Sequence, residues 1–161
     1  MRLAAPIAAL LMLTACGGGG DESGSAPAQP EQPKLTDAQK QEIVASLPAP
    51  YNTADIKNGQ TKFGMCRSCH TLNEGGSNMT GPNLHGLLNQ KAGQHADYKF
   101  TDALANSGLT WDAPTLDRWI ENPRAMVPGT KMAFAGIKNP KDRIDLVGYL
   151  AVEAGSAPAG R

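Results

Sequence analysis

Cys66-Arg67-Ser68-Cys69-His70 is the densest concentration of reactive side chains in this 161-residue chain. Two thiols at C-x-x-C spacing can reach the two vinyl-derived carbons of one porphyrin. The imidazole of the next residue then falls under the iron as an axial ligand, and this is the arrangement that attaches c-type haem. The same residues admit three other uses: a dithiol redox pair, half of a zinc site, or a chance juxtaposition. A dithiol enzyme needs a βαβ context that this glycine-rich sequence lacks. Zinc needs further cysteine or histidine at ligand spacing, and His85 and His95 stand in no such pattern. One covalently bound haem c is therefore expected, held by Cys66 and Cys69 and ligated by His70.

Helices must position that motif. Asn52-Thr53 offers a cap for a helix over 54–65, with Ile56, Gly59 and Phe63 near one face. Asn139-Pro140 is a cap followed by proline at the first helical position, and Ile144, Val147, Tyr149 and Leu150 continue a helix that Gly155 ends. A third helix is predicted over 115–121, stopped by Asn122-Pro123. Thr36 with Gln39 three residues on has the form of a capping box for a short helix that Pro48 and Pro50 terminate. No stretch alternates with period two. The fold class is therefore all-α, with long loops between short helices, as 18 glycines and 12 prolines require.

All the aromatic residues lie from Tyr51 onward, which places the core in residues 51–155 and leaves 156–161 as a frayed tail. Fifteen basic residues balance fifteen acidic ones, and a neutral chain lacks the basic excess that phosphate binding needs, so nucleic acid is not an expected partner. Three cysteines, an odd number, cannot form a closed disulfide framework. Residues 1–15 read as an export signal, since Met1-Arg2 precedes an apolar run, 3–13, too short to cross a hydrocarbon layer of about 30 Å as a helix. The run closes on Leu13-Thr14-Ala15-Cys16, which resembles the lipobox of bacterial lipoproteins and makes Cys16 the expected lipidation site. Residues 17–33 hold no aromatic, β-branched or large aliphatic side chain, so 16–50 reads as a flexible linker with a short helix near its end.

Residues 59–149 resemble a class I c-type cytochrome of the mitochondrial and alphaproteobacterial group. The resemblance rests on the haem motif, Thr80-Gly81-Pro82-Asn83-Leu84-His85-Gly86-Leu87, Trp111, Glu121-Asn122-Pro123, Pro128-Gly129-Thr130-Lys131-Met132 and Asp145-Leu146-Val147-Gly148-Tyr149-Leu150. It implies that Gly59 and Phe63 pack across Leu146 and Tyr149. It also implies that the Pro82 carbonyl accepts the second ring N–H of His70, and that Trp111 and Thr130 belong to the haem environment. The sixth iron ligand has candidates in Met65, Met79, Met126, Met132, His85, His95 and the lysines; a ligand must arrive after the chain has rounded the porphyrin, and the family motif puts it at Met132. Met126 is then a packing residue, Met65 and Met79 core and loop filler, and both histidines surface or structural residues.

With both axial positions filled by protein, neither substrate nor dioxygen finds an open position, which implies a one-electron carrier and not an enzyme. The resemblance implies a quinol-cytochrome c reductase as donor and a haem-copper terminal oxidase as acceptor, in the periplasm at the inner membrane face or, less favoured, at the outer membrane. The rival readings are a dedicated acceptor for a single periplasmic dehydrogenase and a peroxidase-like or gas-binding haem protein. Some positions depart from the family: Gln90, Phe100 and Leu104 replace polar residues near the propionates, and Trp119 replaces a tyrosine beside the methionine. Residues 51–161 hold 12 basic and 10 acidic side chains, so electrostatic steering is weak, with Lys91, Lys131, Lys138 and Lys141 as a small basic rim.

Overall fold

The computed structural model describes residues 35–155 except Ala96. The signal over 1–15, the Cys16 lipidation site, the linker up to residue 34 and the tail over 156–161 lie outside the described residues. Among the described residues six α-helices follow one another: α1 (Asp37–Ala45), α2 (Ile56–Phe63), α3 (Asp102–Ala105), α4 (Ala113–Glu121), α5 (Pro123–Met126) and α6 (Pro140–Glu153), with a 3-10 turn at Tyr51–Thr53. Among the described residues there is no strand, only an isolated bridge between Lys91 and Thr110.

Local chemistry sets the boundaries. Thr36 and Gln39 form a reciprocal capping box, each side chain answering the other's backbone. Helix α2 begins later than the Asn52-Thr53 cap implied, because Asp55 accepts from the amides of Lys57 and Asn58 while residues 51–53 are spent in the 3-10 turn. Helix α4 starts earlier than residue 115: Asp112 accepts from Thr115 N–H and Pro114 occupies a first-turn position where no amide is needed. Asn122-Pro123 does end α4, yet the same pair opens α5, with Asn122 accepting from Ala125 N–H. Asn139 and Pro140 start α6 as the sequence predicts.

The most extensive helix contact is α2 against α6. A β-carbon on Gly59 would collide with the Asp145 carbonyl and stand 2.6 Å from Tyr149 Cβ, so only glycine lets these backbones approach. Phe63 and Tyr149 pack with ring centroids 5.7 Å apart. Leu146 and Val147 are fully buried, and so is the Asp145 carboxylate, which accepts from Asp55 N–H (2.8 Å), Asn58 Nδ2 (2.8 Å) and Lys141 Nζ (2.7 Å). Burial pushes the Asp145 carboxyl up, but these donors outweigh it and hold it below the ordinary carboxylate range. Arg143 ties α6 to α4 through Asp117 (2.5 Å) and caps the Ile137 and Lys138 carbonyls.

Helix α1 is part of this body. Val44, 2% exposed, packs with Ala54 and Val152, and Lys40 pairs with Glu153 at 3.0 Å. Ile43, also on α1, and Leu47, just past its end, pack partly buried against the core as well.

Candidate haem site

The motif emerges from the C-terminal end of α2. Cys66 N–H donates to the Phe63 carbonyl, and Cys69 and His70 N–H both return to the Cys66 carbonyl, which folds the five residues into a tight coil. Cys66 and Cys69 are free and half-buried. Burial, with the neighbouring Cys69 adding to it, pushes the Cys66 thiol up to about 11. A redox-active dithiol requires a depressed thiolate, so this pair is poorly suited to disulfide exchange and well suited to neutral thioether bonds in apolar surroundings. Among the described residues no group of three or more His, Cys, Asp or Glu is placed to hold a metal ion.

His70 is fixed from behind. Its Nδ1 lies 2.7 Å from the Pro82 carbonyl oxygen, so Nδ1 carries the proton and Nε2 is left as the lone-pair donor. Burial lowers the His70 pKa, partly opposed by the Pro82 contact, and the ring is therefore neutral at neutral pH, as ligation demands. Gly81 lies flat against the imidazole, where a β-carbon would stand 2.7 Å from Nδ1, and its N–H donates to the Cys69 carbonyl at 2.9 Å. The loop that carries Gly81-Pro82 is itself stapled: Asn83 Nδ2 donates to Thr71 Oγ1 (2.6 Å) and to the Asn73 carbonyl (3.0 Å), and Asn78 accepts from Asn83 N–H (2.8 Å).

Met132 sits half-buried beyond the Pro128-Gly129 turn, where Gly129 takes a positive φ of 92° and Thr130 Oγ1 accepts from Met132 N–H at 3.3 Å. Cys66, Leu72, Leu84, Leu87, Phe100, Met132 and Phe134 all pack, partly buried, against one core that contains Trp111. Two thiols followed by an oriented imidazole are the groups that attach and ligate one haem, and these apolar side chains belong to the core beside them. Trp111 is anchored by backbone bonds to Asn89 and Gln90 and by ring packing on Trp119, centroids 5.2 Å apart. Trp119 is thus committed to Trp111.

The Cytochrome c family model matches residues 56–152. The chain belongs to the cytochrome c family. It is 43% identical over 105 residues to cytochrome c2 of Rhodomicrobium vannielii, covering 65% of this chain and 84% of that one. It is 44% identical to cytochrome c of Kluyveromyces lactis, covering 96% of the yeast protein. The solved structure of cytochrome cH from Methylobacterium extorquens superposes with a TM-score of 0.57 at 45% identity, covering 60% of this chain and 97% of that one. The fold is accordingly the all-α cytochrome c fold, and the cofactor is one haem c bound covalently through the C-x-x-C-H motif.

Other sequence expectations fare differently. Met126 packs against the core; Met65, in the turn that follows α2, is 50% exposed and so is no core residue, and Met79 is a loop residue 46% exposed. His85 is exposed, and His95 is half-buried with an Nδ1 that has no partner. The basic rim is largely spent within the molecule. Lys131 Nζ donates to the Lys99 carbonyl and lies 4.1 Å over the Tyr98 ring, Lys138 Nζ donates to the Glu121 carbonyl (2.7 Å), and Lys141 is paired with Asp145. What the sequence did not reveal is the Thr101-capped helix α3 and the Tyr98 hydroxyl that donates to the Thr80 carbonyl at 2.5 Å, pinning the loop under His70. Thr101-Asp102 was the available helix signal.

Proposed function

We propose that this chain is a one-electron carrier of a respiratory chain, exported to the periplasm and tethered to the inner membrane by lipid on Cys16. The observation that carries the reading is the His70 Nδ1 contact with the Pro82 carbonyl, which orients Nε2 as a ligand and raises its basicity. Haem c supplies a reversible one-electron couple when bound. Cys66 and Cys69 would hold it, His70 and Met132 would ligate its iron, and Trp111 and Thr130 would line it. A soft thioether from Met132 would favour the ferrous state and so give a higher potential than two imidazoles. With His70 and Met132 both committed to the iron, no position would be left for substrate or dioxygen, which favours a carrier over an enzyme.

A quinol-cytochrome c reductase as donor and a haem-copper terminal oxidase as acceptor fit such a carrier. No described helix is long and apolar enough to cross a membrane, while Leu13-Thr14-Ala15-Cys16 supplies a lipid-attachment pattern. As a flexible chain of their glycine-rich composition, the 17 residues 17–33 would span about 20–25 Å, which would raise the effective concentration near membrane partners. Two experiments test the reading. Met132→Ala should abolish the near-infrared charge-transfer band of ferric thioether ligation and admit carbon monoxide; persistence of the band removes Met132 as ligand. Cys16→Ser should release the protein from the membrane fraction, and full retention would overturn the lipid anchor.

A further inference from the structure

Residues 35–55 lie ahead of the stretch matched by the family model, and they are fastened to the domain in two unequal ways. The later part is firm. Tyr51 is 5% exposed, and its hydroxyl donates to Asp117 Oδ2 of α4 at 3.2 Å. Ala54 is wedged against α6, where a β-carbon on Gly148 would stand 2.3 Å from the Ala54 Cβ, and Asp55 N–H is held by the Asp145 carboxylate. The earlier part, α1, is light. Val44 is its only buried side chain, six of its nine residues are exposed, and the Lys40–Glu153 pair lies at the surface. A cavity of about 430 Å³, lined chiefly by polar side chains such as Asp37, Gln41, Lys57 and Gln60, opens between the start of α1 and the start of α2, so apolar packing does not join them there. Between the two parts, Pro48 and Pro50 carry no N–H, so α1 and the 3-10 turn are not one continuous helix.

We infer that α1 is a releasable strap, which lifts from α6 as one unit and melts while residues 51–55 stay seated on the domain. Segments with few buried apolar contacts open locally at far lower cost than the core they cover. The pair that closes the strap is exposed, so salt screens it and it holds weakly. Once lifted, nine residues do not persist as a helix, because isolated helices shorter than about 12–15 residues are marginal in water. The opening therefore converts α1 into additional coil. For a copy anchored at Cys16 the consequence is reach: a flexible chain over 17–33 would span about 20–25 Å, and one over 17–47 about 28–33 Å. One carrier would then serve partners at two distances from the membrane, with the docked form at the higher effective concentration close to it. The opening involves the described residues alone; the gain in reach rests on the anchor reading.

Native-state hydrogen exchange of the holoprotein tests the strap. The N–H groups of Lys40, Ser46 and Leu47 bond to the carbonyls of Thr36, Glu42 and Val44. Corrected for intrinsic rates, they should share one opening equilibrium and exchange at least about 100-fold faster than Gly59 N–H of α2, which bonds the Asp55 carbonyl. A graded loss, fastest at residue 40, would mean end fraying, and a rate and denaturant dependence equal to those of Gly59 would mean that α1 opens only with the whole domain; either overturns the proposal. Glu153→Gln should raise exchange at all three positions by the same factor, about two- to fivefold, whereas an effect confined to Lys40 overturns the opening as a unit. Val44→Asp puts a charge into the seat on Ala54 and Val152 and should free α1 in most copies, with haem absorption and Gly59 exchange unchanged. Loss of either makes α1 integral to the fold and overturns the strap. Reach is read on vesicles with a fluorescent headgroup: haem quenching by lipidated Val44→Asp should be weaker than by the parent by about 1.5-fold or more, and equal quenching overturns the lengthening. Failure of both proteins to bind the vesicles would overturn the Cys16 anchor and leave the exchange result standing.

Discussion

Between α2 and α6 the contact is made by regular backbone, a glycine, an aromatic pair and a buried carboxylate with three kinds of donor. Around His70 and Met132 there is little regular backbone: loops are held by side-chain hydrogen bonds from residues such as Tyr98, Asn83 and Thr130, and several of the apolar groups there are only partly buried. The helix seam is completed by protein alone. The loops carry the haem-attachment motif, and protein alone leaves their apolar side chains partly exposed. Substitutions in the seam should therefore be read in stability, and substitutions in the loops in ligation and potential.

The sharpest way to break the seam is Gly59→Val. The branched side chain would drive into the Asp145 backbone and Tyr149 Cβ, and a clash with backbone cannot relax cheaply. A loss of about 3 kcal/mol or more, or failure to mature with haem, is expected from thermal unfolding and from haem content.

Asp145→Asn comes next, with about 1–3 kcal/mol lost at neutral pH as the charge-assisted bonds from Lys141, Asn58 and Asp55 weaken. The pH dependence has a definite sign. The folded carboxyl lies below its ordinary 3.8, so its stabilisation is complete above that value and disappears as pH falls through the lower folded value. Denaturant melts from pH 6 to pH 2 should show a shallower acid loss in the Asn variant than in the parent; parallel curves would mean that Asp145 is not an acid-sensitive tie.

Val44→Ala removes two methyl groups from the α1 contact and should cost about 1 kcal/mol, with faster amide exchange confined to residues 37–45. Unchanged exchange there would mean that α1 holds to the domain by the Lys40–Glu153 pair. In the loops, Thr130→Val should leave the melting temperature within about 2 °C yet shift the reduction potential, because it deletes the hydroxyl that accepts from Met132 N–H. A large fall in stability with no change in potential would reverse the division between seam and loops.

Much of this was legible because the informative residues are chemically unusual. C-x-x-C-H has few uses, Asn139-Pro140 is a strong start signal, and Thr36 with Gln39 is a two-way cap; each acts within a few residues, so sequence suffices. Helix α2 was misplaced at its start because three residues with cap chemistry, Asn52, Thr53 and Asp55, compete there, and Asp55 prevails through the Asp145 bond to its amide, a contact 90 residues away. The four-residue helices α3 and α5 are too short for periodicity to reveal. Exposure of Met65 and Met79 depends on how a turn is aimed, and no local pattern encodes that. The binding of Lys131 to a carbonyl 32 residues distant likewise escaped a count of charges.

The pairing of α1 with the end of α6 has a further consequence. Lys40 grips Glu153, and Val44 touches Val152, so the first and last described helices close on each other like a clasp. A domain whose first and last described helices touch can be opened elsewhere and rejoined at the clasp without disturbing its interior. A circular permutant cut in an exposed loop and sewn between residues 155 and 37 should keep the seam.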